Sequence, residues 1–155
     1  MIGRVPLLWE LYDKVYIPKA VHKELMSSVH ENDYGRKEII KATEEGKISI
    51  YTVKDKSLVQ RMYGKLHHGE LETIIGGKEL NIDFVLIDEK ATRNMAKNFF
   101  LIPIGTIGML RLAKLHGKID KIKPFLDTLI VNQYRIGKPL YEQVLKLENE
   151  WDQIK

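Results

Sequence analysis

"FVLIDEKATRNMAKNFFLIPIGTIGMLRLAKL", residues 84–115, decides the fold. It opens on an apolar run, passes through the charged helical stretch "EKATRNMAKNF", and returns to an apolar run in "FLIPIG". A second helix pattern, "TIGMLRLAKLHGKI", follows from Gly105 and Thr106. Strand, helix, strand, helix is the signature of right-handed parallel crossovers. The uninterrupted apolar run "FVLI" suits a sheet covered on both faces. In open parallel sheets the useful crevice lies beyond the carboxyl ends of the strands. Asp88 and Glu89 stand at that end.

Towards the N-terminus, "KISIYTV" alternates and is β-branched, so it reads as a strand, and "VYI" before Pro18 as a short buried one. "PKAVHKELMSSV" is a helix with Pro18 in its first turn and an apolar stripe of Val21, Leu25 and Val29. "YGRKEIIKATEEG" is a second amphipathic helix with Gly46 as its C-cap. "KSLVQRMYGKL" and "HGELETIIGGKELN" are two consecutive helices that break near Gly64. Leu7, Leu8, Leu11 and Val15 lie at helical spacing. Helices from about Ile119 to Asn132 and from Gly137 onward form a C-terminal helical extension over about 119–155. There is no repeat, low-complexity tract or linker, which makes residues 1–155 one α/β domain.

Composition narrows the function classes. With 44% hydrophobic and 30% charged residues the chain is globular rather than disordered. It has no cysteine, which excludes a disulfide framework and a thiolate metal site and fits a reducing cytoplasm. The apolar runs are too short for a membrane span, and "MIGRVPLLWELYDK" lacks a signal-peptide cleavage pattern. No membrane partner is expected. The net charge of +4 permits a polyanionic partner, but 25 basic residues against 21 acidic ones do not demand it.

Several familiar motifs fail. "GGKE" follows a helix rather than a strand, and Glu79 stands where a phosphate loop needs Ser or Thr. "GTIG" lacks the third glycine of a dinucleotide fingerprint. His67 and His68 have no histidine partner four residues away, so a zinc helix is not indicated. A phosphorylation-switch receiver would need an acid pair at its first strand and a lysine at a later strand end, where Ile104 and Gly105 stand.

The acids carry the chemistry. Taken singly, each has an ordinary explanation. Glu70 and Glu72 complement a helix N-terminus, Asp88 and Glu89 cap the helix after "FVLI", and Glu24 is a solvated helix acid. Taken together, carboxylates from a helix start and a strand tip can share a divalent cation that offsets their repulsion. Mg²⁺ prefers such oxygen ligands and keeps several waters. An ion held this way activates water and stabilises charge on a phosphate, which is phosphodiester hydrolysis in outline.

The segments "VYIPKAVHKEL", "HHGELETIIGGKEL", "VLIDEKATRNMA", "IPIGTIGMLRLAKLHGKI" and "KPFLDTLIVNQYRIGKPLYEQVL" give the chain a specific likeness. From Leu7 to about Lys146 it resembles the PIN domains, in their uncharacterised VapC-like branch. The resemblance implies a three-layer α/β/α fold around a central, mostly parallel sheet. It also implies a metal-dependent endoribonuclease in which about four acids gather Mg²⁺ or Mn²⁺. Matched by motif, Glu24 in "VHKEL" stands for the second acid, Glu70 in "HGELETI" for the third, and Asp88 or Glu89 in "LIDEK" for the fourth. Glu72 is a weaker candidate.

The resemblance also has a gap. Family members begin with a strand that carries the first acid, whereas "MIGRVPLLWELY" resembles the segment just after it, and Asp13 is no substitute. The expectation is a sheet with exposed edges and feeble or absent catalysis. As toxins of toxin–antitoxin pairs, VapC-like proteins imply single-stranded RNA as substrate, a small antitoxin as partner and a homodimer. Candidates to hold the RNA backbone are Arg93, Lys97, Arg111, Lys114 and Lys118. The alternative is a catalytically degenerate PIN-like module that binds nucleic acid or protein. Tyr134, Ile136, Leu140, Tyr141 and Val144 are expected as a core or dimer stripe rather than a base-stacking platform.

Overall fold

The computed structural model describes residues 5–27 and 34–151, the side chain of Tyr34 excepted. Val29 of the predicted stripe lies outside them. The chain divides into two compact units, residues 13–106 and residues 1–12 with 107–155.

The first unit begins with β1 (Val15–Pro18), α2 (Lys19–Ser27), α3 (Tyr34–Glu44) and β2 (Ile48–Tyr51), α1 belonging to the second. It continues with α4 (Lys56–Met62), α5 (His68–Glu79), β3 (Phe84–Leu86), α6 (Lys90–Asn98) and β4 (Ile102–Ile104). Both strand pairings are parallel: Val15 to Pro18 lie beside Ile48 to Tyr51, and Phe84 to Leu86 beside Ile102 to Ile104. The fold class is therefore α/β with parallel strands, as the crossover pattern predicts. The strands form two two-stranded ladders, so every described strand is an edge strand.

Apolar clusters on two sides of α5 help to hold this unit. Ile74, Val85, Ile87, Ala96 and Leu101 join α5 and α6 to the β3–β4 ladder. Val53, Val59, Leu71 and Ile75 join α4 to the other side of α5, whose Leu71 and Ile74 are fully buried. The expectation that "FVLI" is covered on both faces is not met. Val85 is buried, while Phe84 and Leu86 are 51% and 47% exposed. Side chains alternate along a strand, and only the face bearing Val85 packs on helices. Predicted helix ends also shift: α4 stops at Met62, ahead of Gly64 at φ 95°, and Gly46 at φ 72° closes α3 as expected.

The second unit contains α1 (Leu7–Leu11), α7 (Thr106–Leu115, whose first residue belongs to the first unit), α8 (Lys123–Val131) and α9 (Lys138–Leu147). Leu7, Leu110, Ile122, Leu126 and Leu145 make a fully buried centre. Tyr134, Ile136 and Tyr141 pack against it and Val144 lies within it, whereas Leu140 is exposed. The core reading of that stripe holds for all but Leu140. The α7 helix ends at Leu115 rather than Ile119, because Gly117 takes φ 67°. The α8 helix begins at Lys123 rather than near Ile119, with Pro124 in its first turn.

Carboxylates satisfy backbone donors in both units. Glu79 accepts the N–H groups of Lys54 (3.1 and 2.9 Å) and Asp55 (2.8 Å) and the Tyr51 hydroxyl at 2.7 Å. Burial raises the Glu79 pKa, but these donors outweigh it and hold the group below its ordinary 4.5. Asp127 is lowered likewise: burial opposes, and hydrogen bonds from Lys123 and Tyr141 prevail. A carboxylate depressed in the folded state stabilises above its unfolded pKa and loses that contribution as pH falls through the folded value. The midpoint of thermal unfolding should therefore fall steadily as pH drops below about 4.5. A melting temperature that is flat across the acid range would contradict this.

Candidate functional site

A cleft of about 700 Å³ opens in the first unit, lined by residues of α2, the α4–α5 turn, the start of α5 and the tip of β3. Its volume falls in the ~300–1,000 Å³ range of ligand-binding clefts. Glu24, Glu70, Asp88 and Glu89 all line it. Four acids spread over three segments of sequence thus share one cavity.

Each is placed by a local device. Gly69 has no side chain to separate α2 from α5. A Cβ there would lie 3.0 Å from Val21 Cγ2 and 3.1 and 3.2 Å from the two Glu24 carboxylate oxygens. Glu24 therefore sits against the first turn of α5, where unpaired N–H groups favour an anion. Glu70 is bound at both oxygens: Oε2 accepts the His67 N–H at 2.9 Å and Oε1 the Thr92 hydroxyl at 2.5 Å. The first bond is half of a capping box that starts α5. The second comes from α6, where Thr92 is fully buried.

Asp88 is fixed by the start of α7. Its Oδ1 accepts the Thr106 N–H at 2.7 Å and its Oδ2 the Thr106 hydroxyl at 2.6 Å. Gly105 allows this approach, since a Cβ would lie 3.0 Å from Asp88 Oδ1 and 2.9 Å from Arg93 Nη1. Glu89 occupies the N-cap position of α6 without a side-chain capping bond. Glu24 and Glu89 accept through their backbone carbonyls, from the Ser27 hydroxyl and the Arg93 N–H, and neither carboxylate accepts a hydrogen bond among the described residues. Glu72 is not in the cleft: its Oε2 accepts the Ala20 N–H at 2.9 Å and so anchors the start of α2.

Of the basic candidates, Arg93 comes close to Gly105, where its Nη1 and Asp88 Oδ1 would both meet an added Cβ, and it does not itself line the cleft. Arg111 and Lys114 belong to the second unit and serve its packing. Arg111 pairs with Glu148 at 2.6 Å and Lys114 with Glu150 at 2.6 Å. Lys97 and Lys118 are exposed. Sequence reasoning missed Thr92 and Thr106, for which a lone threonine carries no signal, and Tyr63, which lines the cleft with its ring stacked on His68.

The donor set suits a hard cation, being carboxylate oxygens in a chain without cysteine. Among the described residues no three acidic or histidine side chains are grouped closely enough to hold an ion alone. The four carboxylates line one cleft without forming a preassembled cage for a cation. Among the described residues, no helix is long and apolar enough to cross a membrane.

Comparison with known proteins agrees with this architecture. A family model described as a PIN domain matches residues 1–150. No curated protein and no solved structure matches the chain. The match covers nearly the whole sequence, and the chain belongs to the PIN-domain family.

Proposed function

We propose that this protein is a metal-dependent endoribonuclease acting on single-stranded RNA, as the VapC-like toxin of a toxin–antitoxin pair. One observation carries the reading: Glu24, Glu70, Asp88 and Glu89, distant in sequence, line a single cleft. Mg²⁺ or Mn²⁺ bound there would supply charge neutralisation at the scissile phosphate and a more acidic water.

The chain's own residues divide the remaining work. Glu24 and Glu89, whose carboxylates accept no hydrogen bond among the described residues, would be the ones to hold the ion. Glu70 is held in one orientation by His67 and Thr92, and Asp88 by Thr106. A carboxylate that accepts protein hydrogen bonds keeps lone pairs for a further ligand. Arg93 beside Asp88 offers a cation to the RNA backbone. The antitoxin and the homodimer rest on the VapC-like resemblance, as does a cytoplasmic location.

The alternative, a degenerate module that binds without cutting, gains support from the engagement of Glu70 and Asp88 by neighbouring residues and from the absence of a three-ligand group among the described residues. Incubation of the purified chain with single-stranded RNA and Mn²⁺, with and without EDTA, tests the two. The expected result is slow cleavage that EDTA abolishes. RNA left intact by a chain that shows no heat on titration with Mn²⁺ would overturn the nuclease reading and leave the binding module.

A further inference from the structure

The cleft holds an aromatic pair that the acid chemistry does not use. Tyr63 and His68 stack with ring centroids 4.3 Å apart and planes inclined by 30°. Both line the acidic cleft, and Tyr63 is 54% exposed.

The turn that carries the pair is well defined. Tyr63 N–H donates to the Gln60 carbonyl and Lys65 N–H to the Met62 carbonyl, each at 3.3 Å, and Tyr63 bridges to Leu66. Gly64 at φ 95° turns the chain between them, a conformation that other residues rarely adopt. His68 begins α5, two residues before Glu70. His68 of the pair and Glu70 of the acids are therefore built on the same helix start. Exposed Arg61 and Lys65 flank the turn in sequence.

The geometry points to Tyr63, backed by His68, as a nucleobase-stacking subsite that holds one unpaired base of the RNA beside the acidic cleft. Every base has a π-face, and stacking on an aromatic ring is a sequence-tolerant way to grip a single strand. A duplex keeps its bases stacked on one another, so the subsite selects unpaired RNA. With a base on the rings, the adjoining phosphate would lie towards the acids that line the same cleft. This inference rests on the ribonuclease reading of the cleft and adds the residue that positions the strand.

The test measures binding of a short fluorescein-labelled single-stranded RNA by anisotropy, with Ca²⁺ in place of Mg²⁺ so that binding is read without turnover. A set of the same RNA carrying one abasic residue at each position in turn is measured alongside. Tyr63→Ala is expected to weaken binding of the intact RNA by about 5- to 100-fold. Tyr63→Phe should restore it, and on one member of the abasic set the wild type and Tyr63→Ala should bind alike. Equal binding of intact RNA by the wild type and Tyr63→Ala would overturn the subsite while leaving the RNA reading in place. A loss that persists on every abasic RNA would also overturn it, since the substitution would then act through the fold. A wild type that binds no RNA would overturn the subsite and the ribonuclease reading together.

Discussion

Replacing Glu150 with alanine should lower the unfolding free energy by about 3–5 kcal/mol. Glu150 is 3% exposed, yet it lies close to the C-terminal end of the described chain. Its Oε1 accepts the Lys114 ammonium at 2.6 Å and the Ile122 N–H at 2.8 Å, and its Oε2 the Lys123 N–H at 2.8 Å. Ile122 and Lys123 open α8, so this carboxylate supplies the cap that α8 lacks locally. Burial raises its pKa, but the hydrogen bonds from Lys114, Ile122 and Lys123 prevail and hold it below 4.5. Removing it leaves two backbone donors unpaired and takes the buried carboxylate from Lys114, which keeps only the Glu148 carbonyl at 2.7 Å and the Glu148 carboxylate at 3.8 Å, so the cost exceeds that of a surface ion pair. The melting temperature should fall by roughly 10 °C or more. Glu150→Gln, which keeps an acceptor without the charge, should lose less. A Glu150→Ala protein that melts with the wild type would show that α8 does not need this cap. The acidic stretch after α9 thus includes a buried clamp at Glu150.

The second large effect concerns the cleft. Glu70→Gln should reduce Mn²⁺-dependent RNA cleavage by on the order of 10²-fold or more, with stability changed by about 1 kcal/mol or less. The amide oxygen can still accept the His67 N–H, and the amide nitrogen can donate to the Thr92 hydroxyl, which rotates to accept. The substitution therefore removes charge while keeping the local bonds. Cleavage and melting are measured on the same preparation. Unchanged cleavage would remove Glu70 from the site. A cleavage loss matched by a collapse in melting temperature would assign Glu70 to the start of α5 instead.

Much of the architecture was legible in the sequence. The apolar run of β3, the amphipathic α6 and the proline-bearing β4 follow one another as the crossover pattern requires, because periodicity and chain breakers are local. Boundaries were less legible. The α7 helix yields to Gly117 although its apolar spacing continues, since a left-handed residue ends the hydrogen-bond ladder whatever follows. The acids were legible as residues but not as a site. Motif matching ranks Glu70 above Glu72, but only the structure turns Glu70 into the cleft and spends Glu72 on Ala20. Two positions along a helix turn a side chain through about 200°, and what each face meets belongs to other segments.

Sequence by itself determined the α/β class, the parallel crossovers, the family and the four acids, because these depend on spacing, composition and motif order along the chain. Tertiary structure alone decided that Glu24, Glu70, Asp88 and Glu89 share one cleft. It alone decided that Thr92 and Thr106 hold two of them, and that Tyr63 stacks on His68 at their side. The physical reason is that hydrogen bonds and ring contacts act over a few ångströms between segments far apart in the chain, and only packing brings those segments within range.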